Sequence, residues 1–142
     1  MTRTIALVAL VVPDYDEAIG FYVGAGFALV EDTDLGDGKR WAVVSPAPDD
    51  PAAAGLLLAR ADGERQRASV GEQFGGRVGL FLHTDDFARD HAAMRARGVA
   101  FEGPPRREPY GTVAVWRDPW GNRWDLIEPA GNAAETTEGR DP

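Results

Sequence analysis

The chain reads as an α+β protein built from two tandem copies of one βαβββ unit. Three observations predict this. Asp14 and Asp86, each placed before an apolar helical stripe, are 72 positions apart, and so are Gly26 and Gly98, which close those stripes. At the same offset Tyr15 meets Phe87, Tyr22 meets Met94, Phe27 meets Val99, Ala28 meets Ala100 and Ala42-Val43 meets Ala114-Val115. A constant shift across helix start, helix end and two strands is the signature of an internal repeat. Each copy also runs in the same order of elements.

In the first copy, Thr4 to Val12 is an apolar, partly β-branched run, expected to be a strand buried on both faces. Pro13-Asp14 stops it, and Asp14 can cap the helix that follows. Tyr15, Ala18, Ile19, Tyr22 and Val23 recur at helical spacing and mark its apolar stripe. Gly26 suits a left-handed helix end. Phe27 to Asp32 and Arg40 to Ser45 read as strands around the turn signal Asp34-Leu-Gly-Asp-Gly38, and Gly55 to Ala59 as a fourth strand. Residues 61–76 are polar and glycine-containing, a linker with room for one helical turn, and the Gly75-Gly76 pair reads as a hinge.

The second copy restarts at Arg77 to Thr84. Asp85-Asp86 caps a helix whose face carries Phe87, His91 and Met94, His91 being placed for half-buried packing. Strands are expected at Val99 to Gly103, Gly111 to Arg117 and Arg123 to Glu128. Arg106-Arg107 reads as solvated surface, and Glu108-Pro109-Tyr110-Gly111 as a turn. Asp118-Pro119 followed by Gly121-Asn122 is a turn signal, since Pro presets one backbone angle and Gly or Asn takes the left-handed one. Pleating then sends Trp124 and Leu126 to one face and Asp125 and Ile127 to the other. A carboxylate beside isoleucine on an inward face is costly without a partner. The expected organisation is one domain over 1–129, with module one at 4–60, linker 61–76, module two at 77–129, and a disordered tail at 130–142.

Composition narrows the function. The chain has 142 residues, 44% hydrophobic and 27% charged, an ordinary globular balance. It has no cysteine, so disulfides, thiolate nucleophiles and zinc–cysteine sites are excluded. A formal charge of −8 argues against nucleic acid and anionic membranes and suits a neutral or cationic small ligand. The apolar start is too short to span a bilayer and has no signal-peptide cleavage site, which gives a cytoplasmic expectation.

Two βαβββ units with Asp118-Pro-x-Gly-Asn122 before the last strand resemble the vicinal oxygen chelate superfamily. That superfamily includes glyoxalase I, extradiol dioxygenases and the bleomycin-resistance proteins. Pro13-Asp14 before a helix containing Phe21-Tyr22, then Gly26-Phe27, carry the rest of the match, which covers residues 4 to 129. The resemblance implies a curved mixed sheet around a cleft and a homodimer. It also implies four metal-ligand positions, occupied by His, Gln or Glu in metal-using members. They fall at Leu7, within Leu56-Leu57-Leu58 (Leu57 at its centre), at Gly79 and at Asp125. Leucine and glycine side chains have no donor atoms, so no metal or other cofactor is expected.

The candidate site is therefore a mostly apolar cleft with a few polar groups. Its expected ligand-binding residues are Trp41, Phe81, His83, Glu108, Tyr110, Trp116 and Asp125. His83 is the candidate general base or ligand hydrogen-bonder, or else a strand-end histidine bonded to Asp85 or Asp86. Asp125 meets a ligand, or pairs with Arg117 or Arg123. A scaffold or regulatory subunit is the blandest reading, and two functions with chemistry stand beside it. One is a metal-free binder of a small, cationic or aromatic molecule, similar to the bleomycin-resistance branch. The other is a lyase, isomerase or dioxygenase with a non-standard metal site or a His83-based one.

Overall fold

The computed structural model describes residues 2–131, so most of the tail expected to be disordered lies outside the described residues. The chain divides into two compact units. One runs from the N-terminus to Gly75 and takes in Pro119–Gly121, and the other comprises Gly76–Asp118 and the chain from Asn122. The division falls within the expected hinge, where Gly75 and Gly76 have φ of 67° and 84°.

The first unit contains β1 (Leu7–Val12), α1 (Tyr15–Gly24), β2 (Ala28–Gly36), β3 (Lys39–Ser45), β4 (Gly55–Arg60) and α2 (Glu64–Ser69). Its four strands form a mixed sheet in the order β1-β4-β3-β2, with β1 parallel to β4. The Asp14 carboxylate accepts the Glu17 N–H at 2.9 Å, satisfying one of the orphan amides at the start of α1. At the other end Gly26, at φ 112°, lets Phe27 N–H reach the Tyr22 carbonyl at 2.9 Å. The helix buries Tyr15, Ala18 and Tyr22. Strand register sets Leu10, Leu58 and Ala42 in one row, with Leu56 and Val44 in the next, and all five are buried.

The expectation that β1 is buried on both faces is corrected. It is an end strand of its sheet, and its first half is open, with Leu7 and Val8 at 36% and 37% exposure. An end strand has a bonded neighbour on one side only. On its outer side the Gln73 side chain accepts from Val11 N–H at 2.7 Å and donates to the Val11 carbonyl at 2.9 Å.

The second unit contains β5 (Val78–His83), α3 (Phe87–Ala96), β6 (Ala100–Phe101), β7 (Arg106–Glu108), β8 (Gly111–Arg117) and β9 (Arg123–Pro129). Its order is β5-β9-β8-β6, with β7 also on β8 and β5 parallel to β9. Asp86 caps α3 through the Arg89 N–H at 3.1 Å, and Gly98 has φ 89°. The stretch Arg106-Arg107 is not plain surface: it pairs with β8 around the Pro109-Tyr110 turn. The strand expected over Val99 to Gly103 shrinks to two residues. His91 packs as expected, stacked on Phe87 at 5.2 Å and edge-on to Phe101 at 4.5 Å.

The two units repeat internally as the sequence predicts. A shift of 72 carries α1 onto α3 and β3 onto β8 with both boundaries matched. The aligned pairs Tyr15/Phe87, Tyr22/Met94, Phe27/Val99 and Ala42/Ala114 are buried in both units. The last strand departs from the offset, because nine residues join β3 to β4 and only five join β8 to β9. Those five are the compact turn Asp118–Asn122, where the Asp118 carboxylate accepts Asn122 N–H at 2.9 Å and Nδ2 at 2.7 Å.

Trp120 of that turn belongs to the first unit, where its ring meets Phe21 edge-on at 6.2 Å. Gly71 sits against its backbone, so that a Cβ at Gly71 would lie 1.9 Å from the Trp120 carbonyl oxygen. Gly71 also has φ 77°, a conformation that costs a non-glycine residue about 1–3 kcal/mol before any clash. Gly71→Ala is therefore expected to lower the denaturation midpoint clearly. Gly103→Ala, with open space at its Cβ, is the control that should lose much less.

Candidate functional site

The face of the second sheet opposite α3 is fixed by register. Phe81, Asp125 and Val115 lie in one row across β5, β9 and β8, and His83, Ile127 and Val113 in the next. Arg106 of β7 extends the second row opposite Val113. The alternate residues form the other face, where Trp116 stacks on Trp124 at 4.7 Å. Trp116 is fully buried there, which corrects its expected place in the cleft. Its phase in β8 matches Trp124, its row partner on β9, which is buried as well.

Asp125 is the chemical centre of this face. Its residue exposure is only 8%, and its Oδ1 has no hydrogen-bond partner among the described residues. Burial pushes its carboxyl up from the ordinary value; the positive fields of Arg106 and Arg123 oppose this and Glu102 adds to it. The alternative pairing of Asp125 with Arg117 or Arg123 does not form, because both guanidinia are held by Glu102. Arg117 Nε donates to Glu102 at 2.6 Å, and Arg123 donates twice at 2.8 Å. Arg123 chiefly, with Arg117, lowers the Glu102 carboxyl to about 2. The Arg123 Nη1 also donates to the Gly76 carbonyl at 3.0 Å, anchoring the start of the unit.

Around Asp125 the structure gathers some of the expected residues and separates others. Phe81, at 54% exposure, stands beside it on β5. His83 is exposed on the same face, and the alternative bond to Asp85 or Asp86 is not made. Asp85 instead pairs with Arg89 at 2.9 Å, and Asp86 caps α3. Glu108 is tied to Arg106 at 3.0 Å, and Tyr110 is exposed at the hairpin tip. Gly79 falls at a register shift between Val78 and Leu80, a bulge in β5.

In the first unit the face opposite α1 carries Leu7, Ala9 and Val11 of β1, Leu57 and Ala59 of β4, and Val43 and Trp41 of β3. At the Trp41 end lies a cleft of about 370 Å³, bordered by Trp41, Leu57, Ala59, Tyr15, Arg60 and Gln66. Sequence reasoning missed Arg60. It is a strand-end arginine with no local motif, and only the fold sets it 5.4 Å from the Tyr15 ring centre.

The donor set does not fit the metal of a vicinal oxygen chelate site. Leu7, Leu57 and Gly79 offer no donor atom, and Asp125 offers one carboxylate. Among the described residues there is no group of three or more His, Cys, Asp or Glu side chains arranged to hold an ion.

Paired βαβββ modules, each with its own mixed sheet, define a glyoxalase-type fold. Residues 4–126 match the Glyoxalase/Bleomycin resistance protein/Dioxygenase superfamily, and the chain belongs to that family. A protein of Shewanella frigidimarina (strain NCIMB 400) is 51% identical over 130 residues, spanning 90% of this chain and 95% of its own. Among solved structures, UcmS2 is similar at TM-score 0.77 and 30% identity, covering 90% of this chain and 99% of its own. TnmS3, an antibiotic binding protein from Streptomyces sp. CB03234, is similar at TM-score 0.69 and 32% identity, covering 92% and 98%. No helix among the described residues is long and apolar enough to cross a membrane.

Two charge variants test these electrostatics. The Asp125 carboxyl has its pKa raised by folding, so ionised Asp125 opposes the folded state above that raised value, and the cost disappears as pH falls through the unfolded value. Asp125→Asn should raise the thermal midpoint at pH 7 and have little effect in acid. Glu102 has the opposite sign: its stabilisation is fully present above the ordinary glutamate value of 4.5 and is lost as pH falls toward about 2. Glu102→Gln should flatten the stability profile across that window.

Proposed function

We propose that the chain is a metal-free binder of a small aromatic molecule bearing a cationic or N–H donor group, recognised on the second unit's face by Asp125 and Phe81. The observation that carries this reading is the Asp125 Oδ1, more than nine-tenths buried by residue exposure and without a hydrogen-bond partner among the described residues. A desolvated acceptor without a donor costs folding free energy, and a ligand N–H or ammonium recovers it. The exposed Phe81 ring in the same row offers a flat surface for stacking or for a cation over its face. The similarity to TnmS3, itself an antibiotic binding protein, supports a small-molecule ligand. A cytoplasmic homodimer belongs to the same reading.

In this reading the absent donor atoms at Leu7, Leu57 and Gly79 make recognition independent of a metal ion. Arg106 and Arg123 are held by Glu108 and Glu102, which leaves Asp125 available to the ligand rather than to a neighbouring cation. The catalytic alternative has one observation in its favour, that His83 is exposed on the face bearing Asp125. Turnover of glyoxalase-type substrates that falls in His83→Ala would support it.

The test is calorimetric titration with two cationic aromatic probes, proflavine and metal-free bleomycin, with and without a chelator. Binding should survive chelation. Asp125→Ala should weaken it roughly ten- to a hundredfold, the range for a hydrogen bond to a charged group. Binding of neither probe, or binding that requires a stoichiometric divalent ion, would sink the proposal.

A further inference from the structure

Resting on the reading of Asp125 as the ligand's acceptor, we infer that the second unit takes a zwitterion of the aryl amino-acid type. The ring lies on Phe81, the ammonium meets Asp125, and the carboxylate meets Arg106, which selects an amino acid over a plain amine.

The first observation is the order of side chains across one face. Opposite α3, Phe81 stands on β5, Asp125 beside it on β9, and Val115 and Val113 on β8. Arg106 of β7 is paired with Val113 and so shares that face, on the far side of β8 from Asp125. Ring, carboxylate, apolar floor and guanidinium thus follow one another across four strands. Two strand spacings, about 10 Å, separate β7 from β9, which leaves room for one small molecule between the Asp125 and Arg106 side chains. The guanidinium is felt across that interval. Burial is the main influence on the Asp125 carboxyl, and Arg106 comes next, ahead of Arg123.

The second observation is which donors on this face are still free. Arg123 is fully used: Nε and Nη2 donate to Glu102, and Nη1 donates to the Gly76 carbonyl. Arg106 gives Nε to Glu108 at 3.0 Å, with the Tyr110 side chain alongside. Its Nη groups donate to no carboxylate among the described residues, and its side chain remains 46% exposed. A guanidinium carries five N–H groups, so the Glu108 bond orients the planar fork without exhausting it. Arg106 is distinguished by its place opposite Asp125 on a shared face, and its spare donors make that place usable.

Charge then narrows the ligand. A bare cation at Asp125 is attracted by the carboxylate and repelled by Arg106. A molecule with an ammonium and a carboxylate on one carbon meets both groups with matching sign. The Phe81 ring, on the side of Asp125 away from Arg106, receives the aryl group. A carboxylate also accepts parallel N–H bonds from an arginine fork.

The probes are 3-(2-naphthyl)-L-alanine, the decarboxylated amine 2-(2-naphthyl)ethylammonium, and 3-(2-naphthyl)propionate, which lacks the ammonium. Each is titrated calorimetrically against the full chain. Naphthylalanine should bind, with the amine and the propionate at least roughly tenfold weaker. Arg106→Gln should weaken naphthylalanine roughly ten- to a hundredfold and bring it level with the amine, with Arg106→Lys in between for want of the fork. The lost Arg106–Glu108 pair is half-exposed and contributes little to stability, so this change reads recognition rather than unfolding. Arg107→Gln, on the other face of β7, is the control and should bind as the native chain does. Asp125→Ala should weaken the amino acid and the amine alike. Equal affinity for amino acid and amine, no loss in Arg106→Gln, or binding of none of the three would each overturn the inference. An amine that binds through Asp125 as tightly as the amino acid leaves the Asp125 reading standing while this one falls. Naphthylalanine binding that is indifferent to Asp125→Ala brings down both.

Discussion

The reciprocal bonding of Asp118 and Asn122 fixes the phase of β9, and the chemistry of the second unit depends on that phase. Both residues are almost fully buried, at 3% and 1% exposure. The Asp118 carboxylate holds the Asn122 amide and side chain, while the Asp118 N–H donates to the Asn122 carbonyl at 3.0 Å. Gly121, at φ 112°, supplies the conformation that lets the chain reverse in so few residues. A slip of one residue in the strand that follows would exchange its faces, placing Asp125 in the core and Trp124 outside it. The register seen here is the one that buries two stacked indoles on one side and leaves a lone carboxylate among apolar neighbours on the other.

That carboxylate is a local conflict between folding and function. A buried acceptor without a donor destabilises the native state, and among the described residues only the fields of Arg106 and Arg123 offset the burial of this one. The neighbouring cations are held away by their own partners, Glu102 for Arg117 and Arg123, and Glu108 for Arg106. Glu102 thus has two effects. It ties the two-residue strand β6 to β8 and β9, and it keeps Arg123, one of the two arginines whose field reaches Asp125, occupied. Sites at which sequence-level consistency fails in this way are where ligand recognition is expected.

The same logic separates the two units. The repeat copies the scaffold, with helix caps, helix lengths and the third strand all equivalent. The side chains on the faces opposite the helices diverge. In the first unit that face is leucine, valine and tryptophan. In the second it carries Asp125 and His83 beside Phe81. Duplication preserves what packing requires and leaves those faces free to differ, as expected for a fold whose chemistry resides in its sites.

Much of this was legible from residue order alone. Aspartate caps, glycine helix ends and the 72-residue offset reflect local backbone physics and binary pattern, so element types and the repeat followed without tertiary information. The lack of donor atoms at Leu7, Leu57 and Gly79 followed as directly, given the family resemblance. What the chain order did not reveal depends on which elements become neighbours. Whether β1 has a partner on both sides is decided by sheet order, and here it lies at an end. Trp116 could be sorted from Trp41 only by strand register, which hides one indole and half-exposes the other. The partners of Arg117 and Arg123, and the lack of one for the Asp125 Oδ1 among the described residues, are set by distances between segments far apart in the chain, because electrostatic pairing is a property of space and leaves no periodic trace in the sequence.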